Sequence, residues 1–148
     1  MSRRSGAAPI EILLVEDNAG DVRLTQEAMR DAKVRNNMNT VGDGMEAMDF
    51  LWKRGKHNRA LRPDLILLDL NVPKMNGREV LEKIKTDEEL KRIRVVILTG
   101  STAEEDILRS YQLHANCYIT KPVDLAQFLN VIRAIDDFWL DIIKLPRH

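Results

Sequence analysis

Short apolar segments alternate along the chain with longer segments whose apolar residues recur at the spacing of a helix face. The short segments predict five strands, at residues 10–15, 39–41, 65–68, 95–98 and 117–119. The longer segments predict four helices, at residues 21–32, 45–52, 76–86 and 103–113, and a final helix from residue 124 onwards. Because strands and helices alternate, the sequence predicts an α/β fold with one doubly wound, parallel, five-stranded sheet and right-handed crossovers.

Two segments depart from this regular pattern. The strand at 39–41 is short and polar, which is typical of the edge of a sheet. Residues 53–63 are polar and basic, and we expect them to form a solvated loop before the third strand. In the helix that precedes this loop, the side chains of Met45, Met48 and Trp52 are expected in the core.

The chain has 148 residues, which is enough for one domain and one core. We expect this domain at residues 10–146, after a disordered tail at residues 1–9. Lysine and arginine together number 23, as do aspartate and glutamate, so the net charge does not favour binding to nucleic acid or to an anionic membrane. Cys117 is the single cysteine, and no apolar run approaches the roughly 20 residues that span a bilayer. These features predict a soluble, cytoplasmic protein.

Three acidic residues follow predicted strands at the end where parallel sheets bind ligands. Asp69 closes the apolar run at 65–68, and Glu16 and Asp17 follow the strand at 10–15. In an open α/β sheet, ligands bind outside the carboxyl ends of the strands. Three acids at one rim repel one another unless a cation or a raised pKa relieves the repulsion. The sequence therefore predicts a metal-assisted phosphoryl site at this rim.

The metal that best suits these acids is Mg²⁺. This ion prefers oxygen ligands and usually keeps several waters, so one or two carboxylates are enough to bind it. We expect Asp17 and Asp69 to be direct ligands, and Glu16 to act through water. The backbone carbonyl of Asn71, in the turn after the central strand, is a further candidate ligand.

Phosphoryl transfer also needs a nucleophile and donors for the transferred oxygens. The carboxylate of Asp69 is the candidate nucleophile, and its attack gives an acyl phosphate. The charge on the transferred oxygens requires positioned donors in addition to the cation. Two residues at the ends of later strands suit this role, Thr99 and Lys121.

Four short segments resemble the motif blocks of response-regulator receiver domains. They have the order and spacing of that family: VEDN at 15–18, LLDLNVP at 67–73, LTGS at 98–101 and TKP at 120–122. The resemblance implies a flavodoxin-like (βα)₅ fold and phosphorylation of Asp69 by a histidine kinase. It also implies a phosphoacceptor that catalyses its own phosphorylation and dephosphorylation, not an enzyme with a separate substrate. A cis peptide bond before Pro122 is implied as well, and X–Pro bonds adopt cis at low cost.

The same resemblance implies a conformational switch. Thr99 would move toward the phosphoryl group on Asp69, and Tyr118 would turn inward to fill the space that Thr99 leaves. Glu16 stands where aspartate is commoner in the family. Its longer side chain can still reach a metal ion through water.

The end of the chain carries a finer resemblance. Residues 136–146 continue the final helix beyond the usual length of a receiver domain. With the loop at 53–63, they resemble single-domain response regulators that partner cyanobacterial and other bacterial phytochromes. One domain has little core left to cover the apolar side chains of this segment, and exposed apolar patches mark interfaces. We therefore expect a two-fold homodimer through this helix, with interface residues Phe138, Trp139 and Ile142.

This resemblance implies a phytochrome sensor histidine kinase as the partner, output through protein contacts, and a downstream phosphotransfer protein as a further candidate partner. Three other functions fit the residues less well. A hydrolase of the haloacid-dehalogenase type needs a second acid two residues after its nucleophile, where this chain has Asn71. A flavin-binding electron carrier needs a phosphate cradle, whereas residues 17–21 are acidic. A degenerate receiver that only binds partners would not need the complete set of acids and donors. The apolar tail could instead pack on its own domain. The three histidines lie at no spacing typical of a metal site or a proton relay, so we expect no role for them in the chemistry.

Overall fold

One parallel sheet of five strands organises the computed structural model, which describes residues 9–31, 35–100 and 117–134. The strands are Ile10–Val15 (β1), Asn36–Val41 (β2), Leu65–Asp69 (β3), Arg94–Thr99 (β4) and Cys117–Thr120 (β5). They lie in the order β2-β1-β3-β4-β5, and every neighbouring pair is parallel. This topology confirms the doubly wound α/β sheet that the sequence predicts, with β3 at its centre.

Four helices are described: Ala19–Asp31 (α1), Gly44–Leu51 (α2), Gly77–Thr86 (α3) and Leu125–Ala134 (α4). The first and last of these contact each other, as do α2 and α3, so the helices form two pairs. The helix predicted at 103–113 and the extension predicted at 136–146 lie outside the described residues. Within the described ranges, no helix is long and apolar enough to cross a membrane.

The core is divided between the two faces of the sheet. Alternate residues of β3 point to opposite sides, so Ile66 and Leu68 pack with α2 and α3, while Leu65 and Leu67 pack with α1. All five residues of β3 are buried, which explains why this strand has a continuous apolar run and not an alternating one. The central strand is therefore held on both faces, and the acid at its end has a rigid support.

Two elements begin two or more residues earlier than the sequence predicts. Strand β2 starts at Asn36 and not at residue 39, and it pairs residue for residue with β1 as far as Val41. Because it is an edge strand with largely solvent-facing side chains, its polar residues give no hydrophobic pattern. Helix α1 starts two residues before Asp21, since Asn18 Oδ1 accepts a hydrogen bond from the Asp21 backbone N–H at 2.9 Å and so caps the helix.

The basic loop at 53–63 is largely exposed to solvent, as the sequence predicts, but it also has local structure. It contains a single 3₁₀ turn, Gly55–His57. His57 Nε2 lies 2.9 Å from Glu46 Oε2, and its ring lies 5.2 Å from the ring of Phe50 in α2. Two expectations for α2 are wrong, because the side chains of Met45 and Trp52 are exposed. The indole of Trp52 instead donates to Asp87 at 3.0 Å, so this end of α2 is joined to the end of α3.

Candidate functional site

The register of the sheet brings the predicted site residues to one rim. Val15 pairs with Leu68, so Glu16 and Asp17 follow β1 beside the end of β3. On the other side of β3, Asp69 pairs with Leu98 of β4, and Thr99 pairs with Thr120 of β5. Lys121 follows β5 directly, and its backbone N–H donates to the Thr99 carbonyl at 2.7 Å. Four strands therefore present polar side chains at the carboxyl end of the sheet.

The acids at this rim differ in exposure. Glu16 is 2% exposed and Asp69 is 3% exposed, whereas Asp17 faces solvent. One carboxylate oxygen from each of these three residues can be chosen so that all three lie within 4.8 Å of one another. Three carboxylate oxygens at this separation are a suitable donor set for a hard divalent cation. The arrangement agrees with the metal site that the sequence predicts.

The ammonium of Lys121 contacts two of these acids and one further carboxylate from α1. Its Nζ lies 3.0 Å from Glu16 Oε1, 3.0 Å from Asp69 Oδ2 and 3.3 Å from Asp21 Oδ2. Asp21 is a site residue that the sequence reasoning missed. Acids are common in the first turn of a helix because they interact favourably with the helix dipole. The position of Asp21 in the sequence therefore did not indicate a role at the site.

Burial and mutual contacts shift the pKa values of Glu16 and Lys121. Burial, together with the neighbouring Asp69 carboxyl, raises the pKa of Glu16 to about 7, although the hydrogen bond from Lys121 acts in the opposite direction. For Lys121, burial disfavours the ammonium, but hydrogen bonds to Glu16 and Asp69 outweigh that effect and raise the pKa of the lysine above its usual range. The pocket therefore keeps its cation charged, while Glu16 exchanges a proton near neutral pH.

The loop between β3 and α3 is fixed by close backbone contacts. The Asn71 N–H donates to Asp69 Oδ1 at 3.2 Å. Gly44 N–H donates to the Pro73 carbonyl at 3.2 Å, and a Cβ atom on Gly44 would overlap the carbonyl oxygen of Met75. A Cβ atom on Gly77 would lie 2.5 Å from the Asp69 carbonyl oxygen. Two glycines therefore allow the loop that follows Asp69 to pass tightly between the starts of α2 and α3.

The other side of the pocket contains Thr99 and Tyr118. Thr99 is fully buried, and its Oγ1 has no hydrogen-bond partner among the residues that the structure describes. A buried hydroxyl without a partner lowers the stability of the fold. Such a group is retained where it has a functional role, such as a contact with a ligand. Tyr118 is half-buried and packs against the core on the α2 and α3 side. The Lys121–Pro122 peptide bond is cis. Phe138, Trp139 and Ile142 lie outside the described residues.

A doubly wound sheet with acids, an ammonium and a buried hydroxyl at one rim is the arrangement expected of a receiver domain. The family described as "Response regulator receiver domain" matches residues 12–133. Response regulator Rcp1 of Synechocystis sp. is 46% identical over 138 residues, which cover 93% of this chain and 94% of Rcp1. The chain therefore belongs to the response regulator receiver domain family, and it is a response regulator of two-component signalling.

Solved structures agree with this assignment. A crystal structure of the phosphorylated cyanobacterial phytochrome response regulator RcpA has a TM-score of 0.74 and 54% identity, covering 90% of this chain and 95% of RcpA. The Mn²⁺-bound form of Rcp1 has a TM-score of 0.74 and 46% identity, covering 94% of this chain and 100% of that chain. Both have the same fold as this chain, and one of them holds a divalent metal ion.

Proposed function

We propose that this response regulator accepts a phosphoryl group on Asp69 from a histidine kinase. The observation that carries the proposal is the position of the Asp69 carboxylate. It ends the buried central strand, lies beside two other acids, and contacts an ammonium at 3.0 Å. A carboxylate held in this way is a nucleophile supported by positive charge, which is what phosphoryl transfer requires.

In the proposed reaction, one Asp69 carboxylate oxygen attacks the phosphorus of a phosphohistidine. A new O–P bond forms and the P–N bond breaks, and the electron pair of the broken bond remains on the imidazole nitrogen, which takes a proton from water. The product on this chain is an acyl phosphate. Hydrolysis later restores the carboxylate and releases inorganic phosphate.

Glu16, Asp17, Asp69 and the Asn71 carbonyl would hold Mg²⁺. When bound, the ion neutralises charge on the acids and on the transferred oxygens. The separation of the three carboxylates supports this assignment. So does the mixture of buried and exposed acids, because Mg²⁺ retains waters on its solvent side.

Lys121 and Thr99 would donate to the phosphoryl oxygens. Lys121 already directs its ammonium at Asp69, and the Thr99 hydroxyl has no competing partner among the described residues. A Thr99 hydroxyl drawn toward the phosphoryl group would leave space near β5. Tyr118, a half-buried residue of that strand, would then turn inward and alter the surface.

The partner that we propose is a phytochrome-type histidine kinase, because RcpA is described as a phytochrome response regulator.

We propose that output depends on a homodimer through residues 136–146, with Phe138, Trp139 and Ile142 in the interface. A phosphotransfer protein would receive the signal, and all partners would meet in the cytoplasm. Unlike a haloacid-dehalogenase hydrolase, this chain has Asn71 and not an acid two residues after Asp69.

The experiment that tests this function measures phosphate uptake by intact mass, with Mg²⁺ and phosphoramidate as the donor. Wild type is expected to gain one phosphoryl group and Asp69→Asn none. Asp64→Asn is the matched control, because Asp64 is an exposed acid just before the opposite end of the same strand. Equal uptake by wild type and Asp69→Asn would reject the assignment.

The kinase is tested separately. An autophosphorylated phytochrome histidine kinase should transfer its phosphate to wild type within seconds to minutes, and should not transfer it to Asp69→Asn. A histidine kinase from an unrelated pathway serves as the comparison. If both kinases phosphorylate wild type equally slowly while phosphoramidate works, Asp69 remains the acceptor and the phytochrome partner is wrong.

A further inference from the structure

The ammonium of Lys121 has three N–H donors, and three carboxylates surround it. Two of them, Glu16 and Asp69, belong to the acids that could hold a metal ion. The third, Asp21, is not in that group and lies 3.3 Å away. The side chain of Lys121 is 20% exposed and that of Asp21 is 30% exposed, so the contact lies at the mouth of the pocket.

Asp21 is not needed for the cap of its own helix. It is the third residue of α1, the position whose side chain in a capping box accepts from the backbone N–H of the cap residue. Here the cap residue is Asn18, and its N–H donates instead to Glu16 Oε2 at 3.2 Å. The Asp21 backbone N–H is satisfied by Asn18 Oδ1. The Asp21 carboxylate is therefore directed to Lys121 and not back to the start of the helix.

We propose that Asp21 is a positioning residue that holds the Lys121 ammonium in place for phosphoryl transfer to Asp69. This inference rests on the proposed function and deepens it. When a metal ion engages Glu16 and Asp69, these carboxylates are shared between the ion and the lysine. Asp21 is then the carboxylate contact of Lys121 outside the metal set, and it keeps one N–H of the ammonium fixed.

The fixed contact has a geometric consequence. With one N–H directed to Asp21 and one to Glu16, the remaining N–H points at Asp69, where Oδ2 lies 3.0 Å away. A phosphoryl oxygen on Asp69 would occupy the same direction. Asp21 thus reduces the number of orientations that the ammonium must lose before the transition state forms.

The kinetic test uses phosphoramidate and Mg²⁺ and compares wild type with Asp21→Asn and Asp21→Glu. Asp21→Asn keeps the size of the side chain but removes its charge. We expect its maximal phosphorylation rate to fall about fivefold to tenfold, as for loss of one partly exposed charged hydrogen bond. The donor and Mg²⁺ concentrations at half-maximal rate should change less than about twofold, because Asp21 contacts neither in this proposal. Asp21→Glu should recover at least half of the lost rate.

The control is Glu27→Gln, which removes one exposed negative charge from the same helix. It should phosphorylate at the wild-type rate, so that a general effect of charge on α1 is distinguished from the contact with Lys121. An unchanged maximal rate in Asp21→Asn would overturn the proposal. So would a slow rate caused only by weaker Mg²⁺ binding, or an Asp21→Glu variant no faster than Asp21→Asn.

A second measurement does not depend on phosphorylation. In unphosphorylated protein labelled with ¹⁵N-lysine, the Lys121 ammonium should give an NMR signal protected from exchange with water. This signal should be lost in Asp21→Asn and retained in Glu27→Gln. If wild type takes up no phosphate, the proposed function fails, while this signal still decides whether Asp21 holds Lys121. A signal of wild-type intensity in Asp21→Asn would contradict the positioning role.

Discussion

Lys121 Nζ lies 3.0 Å from Glu16 Oε1, although the two residues are 105 positions apart in the chain. The side chain of Glu16 is 1% exposed, and that of Lys121 is 20% exposed. Removal of one partner from a buried ion pair is costly because it leaves the other charge uncompensated. Lys121 therefore supports the fold as well as the proposed chemistry.

Lys121→Met should lower the free energy of unfolding by about 2 kcal/mol or more in Mg²⁺-free buffer, since Glu16 and Asp69 lose their common cation. Urea denaturation followed by circular dichroism measures the change. Lys91→Met is the matched control, because the Lys91–Glu88 pair is well exposed, at 43% and 87%. That variant should lose less than about 1 kcal/mol. Equal losses of unfolding free energy in the two variants would show that the buried contact of Lys121 stabilises the fold no more than an exposed ion pair does.

The raised pKa of Glu16 makes stability depend on pH. The folded protein binds a proton at Glu16 up to about pH 7, whereas the unfolded chain releases it near the ordinary value of 4.5. Folding is therefore accompanied by proton uptake between these values, and the free energy of unfolding should fall as pH rises through this window, by up to about 3 kcal/mol. Below pH 4.5 both states are protonated, and the full stabilisation is present.

Urea denaturation of wild type and Glu16→Gln across this pH range checks the prediction. Glu16→Gln cannot ionise, so the difference in stability between the two proteins should grow in favour of the variant as pH rises toward 7. Addition of Mg²⁺ should reduce the difference, because a bound cation favours the ionised carboxylate of wild type. A difference that stays constant with pH would mean that Glu16 titrates near its ordinary value.

Gly44→Ala should destabilise the fold by about 2 kcal/mol, because the added methyl group would overlap the Met75 carbonyl in the loop that follows Asp69. The same variant should slow phosphate uptake, since that loop contains the Asn71 carbonyl that we propose as a metal ligand. Gly42→Ala is the control two residues away, where an added Cβ meets no atom within 4 Å. Thermal denaturation and phosphoramidate kinetics measure both effects. If Gly42→Ala is as damaging as Gly44→Ala, the contact with Met75 is not the cause.

Thr99→Val should leave the free energy of unfolding unchanged or raise it by up to about 1 kcal/mol, because valine removes a buried hydroxyl without a partner in the described structure. Phosphate uptake should nevertheless slow. Thr25→Val is the comparison: Thr25 is equally buried, but its hydroxyl donates to the Asp21 carbonyl at 2.8 Å. It should lose about 1 kcal/mol. A loss of stability in Thr99→Val as large as in Thr25→Val would indicate that the Thr99 hydroxyl has a structural partner.

The sequence predicts which residues lie at the carboxyl rim of the sheet, because the end of each apolar strand can be recognised locally. Asp69 follows an uninterrupted apolar run, and such a run has few alternatives to a central parallel strand. Glu16, Thr99 and Lys121 are predicted in the same way, each from the end of its own strand. No knowledge of side-chain distances is needed for this step, since parallel strands bring their carboxyl ends to one edge.

Contacts between separate elements could not be predicted in this way. Asp21 has the appearance of an ordinary acid in a first helical turn, and only the arrival of Lys121 from a strand 100 positions later gives it a partner. The Glu46–His57 contact crosses a polar loop that has no hydrophobic period. The exposed Trp52 donates its indole N–H to Asp87 at the end of another helix. Each of these features is decided by tertiary packing, which local patterns do not encode.

The position of β5 has a consequence for synthesis of the chain. Glu16, Asp17 and Asp69 leave the ribosome before Lys121, which follows Asp69 by 52 residues. A chain that ends before β5 would have three acids facing one another without their ammonium, and β4 would form an open edge. The last strand therefore covers the edge of β4 and brings the Lys121 ammonium to the acids at the same time. A translation product interrupted before β5 would lack both the strand that pairs with β4 and the lysine that contacts Glu16 and Asp69.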